Sequence, residues 1–231
     1  MLHFMLFQWR LAFMTALPTV PGHQLDRRLG AGASATVWLA RPRAGGPPVA
    51  LKVAAPGAAD RLRAEAALLA ELDHPGVVRA HGVVEGEAPA LVLDLLDGGD
   101  LAERLARRGR LTPTEVVDLG VALGRTLDDL HRAGVVHRDV KPANVLLTSE
   151  GRPVLCDLGT SVAPGIAGTD GYLDPAVLAG GPADAAADVH ALGITLHELL
   201  AGELPRPGVP LARAAPGTPP ALVAVVERAH A

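Results

Sequence analysis

The spacing of hydrophobic positions changes about two fifths of the way along the chain. From Leu25, short apolar runs alternate with glycine and proline. They predict a strand to Leu29, a turn over Gly30-Ala31-Gly32-Ala33-Ser34, and a returning strand through Ala40. Val49-Ala50-Leu51-Lys52-Val53 reads as a further strand, with Pro and Gly between positions 42 and 48 forming the loop before it. Leu62, Leu68, Leu69 and Leu72 fall near helical spacing, which predicts a helix from its cap Asp60 to Leu72 with Glu65 on its surface. His74-Pro75-Gly76 ends it. Val77-Val78 with Val83-Val84 predicts another strand pair, and Ala90 to Leu96 a buried strand that leads into Asp97-Gly98-Gly99-Asp100.

Beyond that glycine pair the period becomes helical. Thr112-Pro113-Thr114-Glu115 is a capping box with Pro at the first helical position, and Val116, Leu119, Leu123, Leu127 and Leu130 follow up to Gly134. Leu155-Cys156-Asp157-Leu158-Gly159 predicts a strand with a carboxylate at its end. Asp188 reads as the N-cap of a helix from Val189 to Ala201 closed by Gly202, and apolar periodicity returns from Ala221 to the end of the sequence.

Chemistry concentrates in one stretch, His137-Arg138-Asp139-Val140-Lys141-Pro142-Ala143-Asn144. Asp139 offers a carboxylate to accept a hydroxyl proton, Lys141 a compact cation for a phosphate oxygen, and Asn144 an amide oxygen hard enough for magnesium. A mixed-charge run of this kind is ordinarily a solvated loop. Residue usage argues otherwise: 19 of the 21 basic residues are Arg, the two lysines are Lys52 and Lys141, and Asn144 is the sole asparagine. The forked, bulkier guanidinium cannot replace a point-like ammonium packed beside phosphates.

His137-Arg138-Asp139-x-Lys141-x-x-Asn144 resembles the catalytic loop of protein kinases, in the serine/threonine-type variant with Lys two positions after Asp. Other segments resemble that family in the same order. Gly30-Ala31-Gly32 resembles the glycine-rich loop, with Ala35 for its third glycine, and Val49 to Val53 the strand bearing Lys52. Asp157-Leu158-Gly159 resembles the Asp-Phe-Gly element, and Gly168-Thr169-Asp170-Gly171-Tyr172-Leu173-Asp174-Pro175 the end of the activation segment. The resemblance implies an α+β, two-lobed fold, with a small antiparallel N-lobe carrying one main helix and a mostly helical C-lobe.

It also implies roles. Glu65 would pair with Lys52 and aim it at phosphates; Asp139 and Lys141 would act on the transferring group; Asn144 and Asp157 would hold magnesium, or manganese in its place. ATP would lie over Gly30, Ala31 and Gly32, its adenine edge on the backbone of Asp94 and Leu96 and its faces covered by Val37, Ala50 and Leu146. Thr169 would hold Asp139 and Lys141 in position, Thr160 and Ser161 are hydroxyls available for regulation, and the family's residue at Asp188 braces the catalytic loop. The implied reaction moves the ATP γ-phosphate to Ser or Thr of protein substrates. Two rival readings stand beside it: a non-catalytic binding or scaffold module, prompted by Ala35 and by Ala176 where the family has Glu, and a small-molecule phosphotransferase. The second class lacks the Lys141 arrangement and the Gly-Thr-x-x-Tyr element.

Length and composition set the remaining bounds. In 231 residues, 49% of them hydrophobic, there is room for two small lobes with cores. A net charge of -4 gives no general pull toward nucleic acid or anionic lipid. Cys156 is the sole cysteine, which excludes an intrachain disulfide and suits the reducing cytoplasm. Met1 to Leu17 is apolar but broken by His3, Gln8 and Arg10, so no membrane span or secretory signal is expected. The expected organisation is an extension over 1-23, disordered or belonging to a mis-called start at Met1 ahead of Met14, an N-lobe over 24-96, and a C-lobe over 97-231 that stops before the family's last helices.

Overall fold

Residue-for-residue pairing from Ala35 with Ala54 to Ala40 with Val49 locks two strands together and fixes which side chains share a face. In the computed structural model, which describes residues 17-158, 169 and 171-231, these are β2 (Ala35–Pro42) and β3 (Val49–Ala54). With β1 (His23–Ala31), β4 (Ala80–Val84) and β5 (Ala90–Asp94) they form an antiparallel sheet in the order β1-β2-β3-β5-β4. Alternation along β3 puts Leu51 and Val53 on one face, packed with Val20, Ala40 and Ala90. Ala50 and Ala54 lie on the other, against Leu62, Ala66 and Leu69, and Lys52 shares their side of the pleat. Val20 is 3% exposed, so packed structure begins ahead of the boundary drawn at position 24.

The helix opposite that face, α1 (Ala59–Glu71), begins on Ala58 without a side-chain cap. Asp60 is in its first turn and bonds Arg63 Nη1 at 3.0 Å, so it is not the cap that the pattern suggested. Arg63 also forks onto both oxygens of Glu85, at 3.0 and 2.9 Å, tying α1 to the loop between β4 and β5. Leu62, Glu65, Ala66 and Leu69 form the buried stripe; Glu65 therefore points inward, at 3% exposure.

Two expected strands are shorter or absent. Val77-Val78 joins neither β4 nor β5; Val77 bridges Leu155, and the Val78 amide donates to the Leu155 carbonyl at 2.9 Å. The buried strand ends at Asp94, because Leu95 and Leu96 lie beyond its pairing with β3. The connection that follows is stitched to β6 (Val145–Leu147) through Gly98 N–H to Leu147 O and Leu147 N–H to Gly99 O.

The second half is helical around the small hairpin of β6 and β7 (Pro153–Leu155). Asp100 caps α2 (Leu101–Arg108), and the Thr112 and Glu115 capping box starts α3 (Pro113–Arg132) as the sequence indicates. Val116, Leu119, Leu123, Leu127 and Leu130 of α3 are all buried, each worth about 2 kcal/mol as apolar area removed from water. After α4 (Pro175–Leu178), the helix expected from Val189 is α5 (Ala185–Ala201), begun by Asp184 and ended by left-handed Gly202. Three alanines extend it N-terminally, so Asp188 is inside the first turn and fully buried rather than capping. Two shorter elements, α6 (Leu211–Ala214) and α7 (Pro220–Ala229), pack at its side. The N-terminal stretch 1-16, Gly159, Thr160, Ser161, Gly168 and Asp170 lie outside the described residues.

Close approach of α7 to α5 is made by Gly193. A Cβ there would stand 2.9 Å from Ala229 Cβ and 3.0 Å from the Ala229 carbonyl carbon and the His230 nitrogen. Gly124, in α3, has nothing within 4 Å of the same position. Urea unfolding should therefore separate two chemically identical changes. Gly124→Ala is expected to gain about 0.5 to 1 kcal/mol from helix propensity, whereas Gly193→Ala should lose about 1 to 3 kcal/mol to overpacking against rigid backbone. Equal gains in both variants would rule out this seat for α7.

Candidate active site

Lys52 is brought to the site by the pleat of β3, Glu65 by the buried stripe of α1, and Asp157 by the residues just after β7. Lys52 Nζ lies 2.7 and 2.6 Å from the two oxygens of Glu65 and 2.7 Å from Asp157 Oδ1. The ammonium is 5% exposed as a residue, while the Asp157 side chain is 42% exposed. Burial works against the Lys52 charge, but the two facing carboxylates outweigh it and hold its pKa above the ordinary lysine value. Burial pushes the Glu65 carboxyl up to about 6, even with the Lys52 charge drawing it down. Asp157, whose carboxylate meets Lys52, has φ of 61°, a backbone conformation that non-glycine residues adopt rarely.

A second cluster forms around Asp139, in the loop between α3 and the 3-10 turn Pro142–Asn144. Lys141 Nζ donates to Asp139 Oδ2 at 2.7 Å and also to the Thr169 hydroxyl, which in turn donates to Asp139 Oδ1 at 2.9 Å. Asn144 Nδ2 donates to both the carbonyl and Oδ2 of Asp139, at 2.8 Å each. Burial raises the cost of the Asp139 charge, yet the bonds from Lys141, Thr169 and Asn144 keep its pKa below the ordinary carboxylate value. Asp139 is thus an anion, oriented on three sides. The Asn144 carbonyl accepts the Cys156 amide at 3.0 Å, which sets Asn144 beside Asp157 across the β6 and β7 hairpin.

Beneath this loop is Asp188. Its Oδ2 accepts the His137 amide at 2.8 Å and Nε2–H of His131 at 2.8 Å, and its Oδ1 accepts the Arg138 amide at 2.7 Å. Arg138 has φ of 69°, the other non-glycine residue in the left-handed region among those described. A buried carboxylate bonded to two successive amides holds that conformation immediately before Asp139. At the far end of the segment, Tyr172 donates its hydroxyl to Glu198 of α5.

Positions expected to touch a nucleotide are partly brought together. Ala50 is buried on the cleft face, Val37 packs beside it, and Leu146 bridges Asp100 at the connection after β5. The Asp94 amide is used by the Arg79 carbonyl at 3.0 Å, leaving its carbonyl as what it can offer a ligand. Gly30 belongs to β1, opposite Val37, and the Gly32 amide closes the turn on the Ala35 carbonyl at 2.8 Å. What these glycines contribute is therefore open space, since a Cβ would meet nothing within 4 Å at Gly30 and only the Ala35 carbonyl, at 3.8 Å, at Gly32. His131, Arg63 and Glu85 have no motif in the sequence that reveals their contacts.

Comparison with known proteins shows the family. The protein kinase domain family matches residues 23-212. The chain is 39% identical over 218 residues to serine/threonine-protein kinase PkaA of Streptomyces coelicolor, covering 81% of this chain and 40% of that one. PkaB of the same organism is 40% identical over 219 residues, covering 83% and 51%. PknA of Mycobacterium tuberculosis is 35% identical over 207 residues, covering 80% and 48%. The chain thus spans about half the length of these curated relatives. With its two-lobed α+β architecture and the polar residues of both clusters in place, this chain belongs to the protein kinase family.

Proposed function

We propose that the chain is an ATP-dependent protein serine/threonine kinase of bacterial Hanks type. The observation that carries this reading is that both polar clusters are assembled at once. Lys52 is already paired with Glu65, and Asp139 is already an oriented anion. Relatives named serine/threonine-protein kinases support the choice of hydroxyl acceptor.

ATP would enter beneath the turn that follows β1, over Gly30, Ala31 and Gly32. Its adenine would lie between Val37, Ala50 and Leu146 and meet the Asp94 carbonyl and the backbone of Leu96. Lys52 and Lys141 would then balance charge on the phosphates from opposite sides. Asp139, kept ionised, accepts the proton of a substrate hydroxyl and points the oxygen toward the phosphorus; the gain is mostly positioning and electrostatics.

Asn144 and Asp157 fit a divalent cation. With both hydrogens of Asn144 Nδ2 directed at Asp139, Oδ1 is turned away, and it joins a half-exposed carboxylate as a hard oxygen donor. Magnesium held there, or manganese, would neutralise charge on the phosphate oxygens.

A shallow crevice beside Asp139, lined by Thr169, Tyr172, Val177 and the first turns of α5, is where a segment of a protein substrate would lie. No helix among the described residues is long and apolar enough to cross a membrane. The proposed setting is cytoplasmic, which the single cysteine suits. The net charge of -4 gives no reason to invoke nucleic acid.

Incubation with labelled ATP, magnesium and a generic protein substrate tests the proposal. Phosphate should appear on Ser or Thr. It should fall about 10² to 10⁴-fold in Asp139→Asn, the range typical of a lost general base, and Lys52→Met should abolish it as well. A folded chain that binds ATP and transfers nothing would make the binding-module reading the correct one. Asp188→Asn provides a separate check. It leaves one buried loop amide without an acceptor, a cost of about 1 to 3 kcal/mol that falls on the Arg138 conformation. Turnover should drop roughly tenfold or more with the KM for ATP little changed; a change confined to KM would show that the brace does not act on Asp139.

A further inference from the structure

Three histidines outside the site meet at the junction of α5 and α7. His190 and His197 are two helical turns apart on α5, hence on one face, and are 8% and 2% exposed. His230, just past the last residue of α7, sets its ring against both. Its centroid is 6.5 Å from that of His190 at 87° and 5.6 Å from that of His197 at 74°, both edge-to-face. Gly193 stands between the two α5 histidines in sequence, and the absence of its side chain is what lets the Ala229 and His230 backbone come this close. His197 Nδ1 and His230 Nε2 are buried with no hydrogen-bond partner among the described residues.

We propose that this imidazole cluster is an acid-sensitive latch, seating α7 on α5 while the rings are neutral and releasing it when they take up protons. Neutral rings can stack edge-to-face and leave a bare nitrogen in an apolar junction at modest cost. A protonated ring there would bury a charge beside two more imidazoles. The carboxylates facing the cluster are already engaged. Asp174, toward His190, caps α4 through the Ala176 amide at 2.7 Å; Glu227, toward His197, accepts the Leu211 amide at 2.8 Å; Glu203 is paired with Arg206. Burial, with His230 adding to it, places the pKa of His190 and of His197 below the ordinary histidine value despite those carboxylates.

The latch is coupled to the active site because α5 is shared. Its first turn carries Asp188 beneath the catalytic loop, and Glu198, beside His197, holds Tyr172. Acid control of phosphoryl transfer rests on the kinase reading; the latch itself does not.

The sign follows from proton linkage. As pH falls, the unfolded chain takes up protons near 6.5 and the folded one resists. Stability is therefore complete above that value and lost below it, by up to about tenfold in the folding equilibrium per pH unit for each ring kept neutral. The test is thermal unfolding and amide hydrogen exchange of the full chain between pH 7.5 and 5.5, with EDTA present, in the wild type, His197→Phe and His230→Gln. On acidification the wild type should lose protection in 220-229 before α3, after correction for intrinsic exchange. His197→Phe should lose up to about tenfold less of its folding equilibrium than the wild type over that range, and His230→Gln should also lose less than the wild type, because the ring that opposes charge on both α5 histidines is gone. Parallel acid dependence in wild type and variants, or full protection of α7 at pH 5.5, would overturn the latch. If His197→Phe does not fold, His230→Gln decides alone. Absence of phosphate transfer at every pH would defeat the kinase reading and leave the exchange result intact.

Discussion

One ammonium joins the sheet to the helical half of the molecule. Lys52 leaves the face of β3, is met from one side by Glu65 of α1, and reaches across to Asp157 beyond β7. A buried ion pair of this kind is poor evidence of stability, because desolvation consumes most of its attraction. Its value is geometric. Loss of either partner strands a charge, at about 3 to 5 kcal/mol for a buried pair, so arrangements in which α1 is rotated or the hairpin displaced are penalised. The exposure difference is consistent with this. The buried Glu65 end fixes the lysine, while the half-exposed Asp157 end retains a face for a ligand.

A second constraint operates from below. Arg138 and Asp157 hold left-handed backbone conformations next to, or at, positions that carry charge into the cleft. Such strain persists only where the surroundings over-determine it. For Arg138 the means are visible: Asp188 accepts two successive amides, and His131 supplies a further donor to the carboxylate. The loop that carries Asp139 is thus held from beneath by α5 and from the side by Thr169, Lys141 and Asn144, and the Asp139 carboxylate has little orientational freedom left to lose.

Much of this was legible in the sequence where chemistry restricts residue choice. A chain that uses Arg almost everywhere kept Lys at 52 and 141 and placed its single Asn at 144, and all three belong to the two polar clusters, bonded to Asp157 or Asp139. The Thr112 box was readable because a cap is a local device. Features that depend on tertiary contact were not. By helical spacing alone Glu65 reads as a surface charge; only the family resemblance pairs it with Lys52, and the stripe of α1 that faces the sheet is what turns it inward. Val77-Val78 has the composition of a strand but finds its partner at Leu155, far along the chain. Asp188 and Asp60 each stand where a cap is plausible. What displaced them was the neighbouring Asp184 in one case and the uncapped start at Ala58 in the other. The Gly32 amide, in the turn over which the resemblance places ATP, is engaged by the Ala35 carbonyl.

Helix α5 shows why the least legible residues matter. Eleven of its residues are buried, and four of those, Asp188, His190, Thr195 and His197, are polar. Leucine or isoleucine in their place would add transfer free energy and remove any need for partners, so packing alone cannot account for them. Asp188 is repaid by three donors, two of them in the backbone of the catalytic loop. His190 and His197 both face the His230 ring, and His197 Nδ1 and His230 Nε2 have no hydrogen-bond partner among the described residues. A buried carboxylate whose acceptors are fully used is a rigid brace. A buried imidazole with a bare nitrogen has a site for a proton but accepts its charge only at a cost in seating, so under the proposed latch the same helix carries a fixed element at its start and a titratable one along its length.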